Sequence, residues 1–208
     1  NAGIAADVEV LPVDISNPEA VAHLAVETNA DLVVVGPADV SHDPRDVVIG
    51  VSPATGREIW QTLSGISVSD ALRELLAGLE EEGCIGRIVR INDTVDLGMV
   101  GLNAARMSGS GISIGLQAKG TALIHRRDLA PLANLELYSV APTLDKELYR
   151  LMGINAGRHA KGATPEPMRN PYSDEAIEAR YHTRVVGLVA IERDCSSNTV
   201  PEAMEVTR

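Results

Sequence analysis

Three observations predict an α/β fold. Short β-branched runs recur along the chain, as in Asp31–Gly36, Val47–Pro53 and Arg87–Ile91. Stretches with helical spacing lie between them. Glycine, proline and polar turns separate the two kinds of segment. Strands that alternate with helices of about 10 to 18 residues imply a helix layer packed on a partly parallel sheet.

The elements follow in order. DVEVLPV (Asp7–Val13) reads as a strand, and Asn17 caps a helix with Pro18 at its first position, where a missing N–H costs nothing. DLVVVG (Asp31–Gly36) is a short apolar strand. The polar turn SHDPRD (Ser41–Asp46) divides an N-terminal appendage, residues 1–45, from a main body. That body, residues 46–161, opens on the strand VVIGVSP. From about Ser69 to Glu82 the set Leu72, Leu75, Leu76 and Leu79 recurs at i, i+3, i+4, i+7, and Gly83 stands where a helix stop belongs. RIVRI (Arg87–Ile91) is the next strand, and a helix from about Val95 to Met107 ends at Gly109. GISIGLQ (Gly111–Gln117) and TALIHR (Thr121–Arg126) form two strands joined by Ala118–Gly120. NLELY (Asn134–Tyr138) is a short extended piece. Thr143 caps a helix that reaches about Lys161. Residues 162–208 hold a linker (Gly162–Pro171), a late strand RVVGLVAIE (Arg184–Glu192) and a tail. The expected architecture is a Rossmann-like layered fold, a partly parallel sheet flanked by helices, with a C-terminal arm.

Composition excludes several functions. Aromatic residues make up 2% of the 208 and Phe is absent, so the core is aliphatic and base-stacking platforms are scarce. Eighteen basic residues against 29 acidic ones give a net charge of −11, which repels nucleic-acid backbones. No apolar run approaches the length of a membrane span, and no signal peptide is visible. Cys84 and Cys195 stand alone, which fits a reducing compartment. The five histidines, His23, His42, His125, His159 and His182, never fall four apart, and neither H-E-x-x-H nor CxxC occurs. G-x-S-x-G is absent too, and Cys84 reads as a buried, inert thiol.

The most unusual segment is RMSGSGISIGLQAKGT, Arg106–Thr121. GSGISI begins like a dinucleotide fingerprint, but Ile114 stands in place of the third glycine and the motif precedes a strand. GLQAKGT scrambles the order of a P-loop. On pattern alone it reads as a glycine-rich turn entering a hairpin, with Lys119 in water.

Taken whole, RMSGSGISIGLQAKGTALIH followed by LAPLANLELYSVAPTLDKELYRLMGINAGRHAK resembles the medium (β) subunit of adenosylcobalamin-dependent diol and glycerol dehydratases, such as propanediol dehydratase. VVIGVSPATG, ALRELLAGLEEEG and GRIVRI upstream extend the likeness over Asp46–Lys161, and more loosely to Glu192. The resemblance implies a subunit without catalytic residues of its own, in a hydro-lyase that converts 1,2-propanediol or glycerol to aldehydes by a radical route. It implies large and small partner subunits in a heterohexamer, and a reactivating factor as a further partner. Adenosylcobalamin would be held base-on, shared with the large subunit. D-x-H-x-x-G, which accompanies displacement of the benzimidazole, is absent, and Asp39–His42 has the wrong spacing. A cytoplasmic location follows, with a bacterial microcompartment as one setting. Nucleic acid and membrane are not expected partners.

Carried over residue by residue, Lys119 matches the family's phosphate-side lysine, with Gly120 and Thr121 just beyond it. Asp96 matches an aspartate on a peripheral amide, although an acid there is equally a helix N-terminal residue. Ser139 lies in Ser139–Val140–Ala141, which replaces a Pro-Gln-Ala type turn near the benzimidazole. Ala118 stands where the family commonly has Ser, and Arg106 keeps the family's arginine. Two other readings accompany this one. One is the small subunit of the dehydratase-reactivating factor, a chaperone of the same fold. The other is a free-standing Rossmann-like binding or scaffold protein.

Overall fold

A computed structural model describes residues 32–139, 141–168 and 186–206. The strand expected at Asp7–Val13 and the helix after Asn17 lie outside the described residues. Among the described residues seven strands form one sheet: β1 (Leu32–Pro37), β2 (Asp46–Val51), β3 (Ile85–Arg90), β4 (Ile112–Leu116), β5 (Ala122–Arg126), β6 (Glu136–Tyr138) and β7 (Glu202–Val206), in the order β1-β7-β3-β2-β4-β5-β6. The ladders β2–β3 and β2–β4 are parallel, and the other four are antiparallel. Helices α1 (Val68–Glu81), α2 (Leu97–Met107) and α3 (Lys146–Lys161) join or flank the strands. A fourth helical segment, α4, covers residues 186–195. The fold is α/β with a partly parallel sheet, as the sequence predicts.

β2 explains the layering. All six of its residues are buried, so the strand is apolar on both faces. Val47, Ile49 and Val51 face Leu72, Leu75 and Leu79 of α1 and Tyr149, Met152 and Ala156 of α3. Val48 faces the other way, with Val89 and Ile91, toward Val100 and Ala104 of α2. The crossovers β2–α1–β3 and β3–α2–β4 thus lay their helices on opposite faces of the sheet, as parallel connections that change direction must. Each fully buried Leu of α1 contributes roughly 1.5–3 kcal/mol. α1 and α3 then pack backbone to backbone. A Cβ on Gly78 would lie 2.1 Å from the Arg150 carbonyl oxygen, and one on Gly153 would lie 2.2 Å from that of Leu75.

Caps set the helix ends. The Ser67 hydroxyl accepts from Asp70 N–H, Asp96 from Met99 N–H and Asp145 from Leu148 N–H. Asp145, not Thr143, is therefore the cap of α3, and Thr143 ends a short 3₁₀ turn, Ala141–Thr143. The segment read as a late strand, Arg184–Glu192, is helical over its described part, residues 186–192. β7 carries the C-terminal pairing instead, inserted antiparallel between β1 and β3. β1, which precedes the Ser41–Asp46 turn, belongs to the same sheet through β7.

Candidate functional site

The glycine-rich turn divides into two parts. The first, Ser108–Gly111, is structural. Buried Asp46 takes Arg87 Nε at 2.5 Å and Nη2 at 3.0 Å, and also accepts Gly109 N–H at 2.9 Å. Ser108 donates its hydroxyl to the Asp46 carbonyl at 2.7 Å, and Arg127 Nη2 donates to the carbonyls of Ser108 and Gly109. A Cβ on Gly109 would stand 2.0 Å from the Asp43 carbonyl oxygen. These serines and glycines lock the start of β4 to the start of β2, and no nucleotide motif is needed to explain them.

The second part, Gln117–Thr121, lies at the opposite end of β4. Parallel strands β2 and β4 are neighbours whose connections leave in different directions. The crevice beyond their carboxyl ends is where ligands of such sheets bind. The hairpin turn there is fixed from several sides. Gln117 N–H donates to the Thr121 carbonyl at 2.9 Å and Gly120 N–H to the Gln117 carbonyl at 2.8 Å. Leu63 N–H donates to the Lys119 carbonyl at 2.9 Å, and the Tyr149 hydroxyl to that of Gly120 at 3.1 Å. Gly120 has φ +105°, and a Cβ would lie 2.7 Å from the Tyr149 hydroxyl oxygen. The chain's own packing thus requires this glycine.

The other sequence-derived residues collect at the same edge. Gln117 Nε2 donates to the Val95 carbonyl at 2.7 Å, which ties the turn to the start of α2, where exposed Asp96 caps the helix. Asp96 spends Oδ1 on Met99 N–H at 2.9 Å, and its Oδ2 has no hydrogen bond among the described residues. Thr121 is buried, and the next residue, Ala122, pairs with Tyr138, which precedes exposed Ser139. Lys119 is half-buried. Its ammonium has no hydrogen-bonded or ion-paired partner among the described residues. Burial lowers its pKa below the ordinary lysine value, and the charge of Glu192 acts in the opposite direction. One cation, one carboxylate oxygen without a hydrogen bond among the described residues and one exposed hydroxyl at this end of the sheet can pair with an anionic group and accept from N–H donors.

Sequence reading missed Ser52 and Glu192. Glu192 of α4 is 4% exposed and sits in the crevice itself. Its Oε2 accepts Ala54 N–H at 2.8 Å and its Oε1 accepts Ala118 N–H at 2.9 Å, with the Ser52 hydroxyl as a further donor. The space left between Lys119, Gln117, Val95, Leu188 and Glu192 is about 10 Å³, room for one water at most. The available signal was the spacing of Leu188, Glu192 and Cys195, which fall on one helical face.

The remaining chemistry-bearing residues are engaged elsewhere. His125 is buried with Nδ1 and Nε2 2.9 and 3.2 Å from the carbonyl oxygens of Arg126 and Pro131. His159 Nε2 lies 2.6 Å from Glu136 Oε1, and Glu136 also accepts from Asn155 and the Tyr138 hydroxyl. Burial raises the pKa of the Cys84 thiol. Among the described residues no group of three or more His, Cys, Asp or Glu is arranged to hold a metal, and no helix is long and apolar enough to cross a membrane.

Fold and edge together define an α/β protein with a polar edge at the carboxyl ends of a parallel strand pair. The chain belongs to the dehydratase medium subunit family, whose model matches residues 52–166, more than half of the 208. It is therefore a dehydratase subunit, and the family implies partner subunits. Among solved structures it is similar to one described as glycerol dehydratase reactivase, at 25% identity over 59% of this chain and 96% of that one, with a TM-score of 0.49. A second is described as diol dehydratase-reactivating factor complexed with ADP and Mg2+, at 23% identity over 63% of this chain and 98% of that one, with a TM-score of 0.43.

Proposed function

We propose that this chain is the non-catalytic medium subunit of a coenzyme-B12-dependent diol or glycerol dehydratase, and that its strand-end edge holds adenosylcobalamin against the large subunit. Membership of the medium subunit family supports the subunit role. The observation that carries the cofactor role is Lys119, a half-buried ammonium at the crevice of the parallel strands with no hydrogen-bonded partner among the described residues.

Each residue has a defined task. Lys119 pairs with the phosphodiester of the nucleotide loop, a charge-assisted contact. Asp96 accepts a peripheral amide N–H through Oδ2 while Oδ1 keeps its cap. Ser139, exposed after β6, meets the benzimidazole side, with Gly120 and Thr121 shaping the turn between. When bound, the cofactor supplies the radical that starts hydrogen abstraction. The overall reaction takes a 1,2-diol to an aldehyde plus water. The chain's own residues bind and orient; they transfer no proton to the substrate. Base-on binding needs no cobalt ligand from this chain. Large and small subunits complete a heterohexamer, and a reactivating factor is a further partner.

The test is co-expression with candidate large and small subunits, followed by an assay of aldehyde formed from 1,2-propanediol. Aldehyde that requires both adenosylcobalamin and this chain supports the reading. Assembly with an ATPase-like partner in place of the large subunit contradicts it and points to the reactivating factor.

A further inference from the structure

Glu192 is a buried carboxylate that the proposed cofactor contacts do not use. Its two oxygens are held by the N–H groups of Ala54 and Ala118 at 2.8 and 2.9 Å and by the Ser52 hydroxyl, which itself lies 3.0 Å from Ala118 N–H. Converging backbone N–H groups of this kind make an anion-binding concavity, and this one stands at the carboxyl ends of β2 and β4. Lys119 follows Ala118 directly, so a cation borders the same space. The carboxylate thus occupies the position that an incoming oxyanion would take.

The element that carries it is lightly attached. Within residues 186–195 only Glu192 is fully buried. Leu188 and Cys195 are half-buried against Ala54, Ile59 and Ala118, and the other seven residues are exposed. Among the described residues α4 is therefore held largely through one carboxylate and two apolar side chains.

We infer that Ser52, Ala54 and Ala118 form an oxyanion site for a phosphate group, that Glu192 fills it in the free chain, and that the phosphate and Glu192 compete for it. This deepens the reading of Lys119 as the phosphate-side cation and rests on it. A self-occupied site weakens apparent affinity in proportion to the fraction of chains in which the occupant is displaced. Removal of the occupant raises that affinity.

The experiment titrates inorganic phosphate into the 15N-labelled full chain, with chloride at equal ionic strength as control, and follows the Ala54 and Ala118 amide resonances. Glu192→Ala is expected to give a saturable, phosphate-specific shift at both amides, with an apparent Kd at least tenfold below that of the wild type. Addition of Lys119→Ala is expected to reverse most of the gain. No such shift in Glu192→Ala, or equal affinity in variant and wild type, overturns the inference. If Glu192→Ala fails to fold, amide exchange in the wild type decides. Exchange at residues 188–195 is expected to accelerate at least tenfold under saturating phosphate, and unchanged protection overturns the inference. A complex that loses cobalamin on Lys119→Ala while the Glu192→Ala chain ignores phosphate would sink this inference and leave the role of Lys119 intact.

Discussion

Arg87 grips Asp46 with both arms of its guanidinium, Nε to Oδ1 at 2.5 Å and Nη2 to Oδ2 at 3.0 Å, across neighbouring parallel strands. Asp46 is 1% exposed, so loss of Arg87 leaves a buried carboxylate with Gly109 N–H as its one remaining donor among the described residues. Arg87→Ala is expected to destabilise the fold by about 3 kcal/mol. Asp128→Ala, which breaks an exposed pair with Arg126, should change stability by less than about 1 kcal/mol. Urea midpoints at unchanged slope measure both. Equal effects would show that burial of Asp46 is not what gives the pair its weight.

Gly→Ala is expected to have opposite outcomes at the α1–α3 contact and on α4. Gly153→Ala places a methyl 2.2 Å from a backbone oxygen, and the helices must separate, at a cost of about 1–3 kcal/mol or more. Gly187→Ala adds its methyl to open space in α4 and should stabilise that helix by up to ~1 kcal/mol. Thermal unfolding reads the first, and amide exchange across residues 186–195 reads the second.

Lys119 is expected to weigh on stability in a pH-dependent way. Burial lowers its folded-state pKa below the usual value of 10.5, so in the window just under 10.5 the unfolded chain binds more protons. The penalty is fully present below the folded pKa and fades as pH rises toward 10.5. Lys119→Met should therefore stabilise the chain relative to wild type near pH 8, by an amount that shrinks as pH approaches 10.5. A stability difference that is flat over that range would mean that burial of this ammonium carries no cost.

The two thiols should differ in access. Cys84 is 8% exposed and packed against the Gly157 carbonyl, whereas Cys195 is half-buried on α4. Burial raises the pKa of both. A thiol-reactive dye should label Cys195 in the native chain and reach Cys84 only on unfolding. Equal labelling rates would contradict the described packing.

Much of the fold was legible because its periods are clean. The leucines of α1 place that helix within one residue at each end, and Gly83 does terminate it, with φ +71°. β4 and β5 are an antiparallel hairpin as read. α4 was misread for a physical reason. Its valines and isoleucine, Val186, Val189 and Ile191, are β-branched and exposed, so they suggest a strand while contributing nothing to the core. Its inward residue Glu192 is charged, and apolar periodicity is blind to a buried carboxylate. β7 was missed because only Met204 of its five residues is buried. Lys119, Asp96, Thr121 and Ser139 were reached through family resemblance, and topology then brings them to one edge. Ser52 was invisible because its importance comes from the end of β2 that it occupies.

The role proposed for Lys119 is to hold the phosphate side of the cofactor. The direct measurement is the affinity of the assembled three-subunit complex for adenosylcobalamin, read from its visible absorption in equilibrium titration, with wild type, Lys119→Ala and Lys119→Arg side by side. A hydrogen bond to a charged group contributes about 1.5–3 kcal/mol, so Lys119→Ala should raise Kd roughly 10- to 150-fold while the complex stays assembled, and Lys119→Arg should recover part of the loss. Unchanged affinity in an intact Lys119→Ala complex would contradict the claim and remove the phosphate contact from this edge.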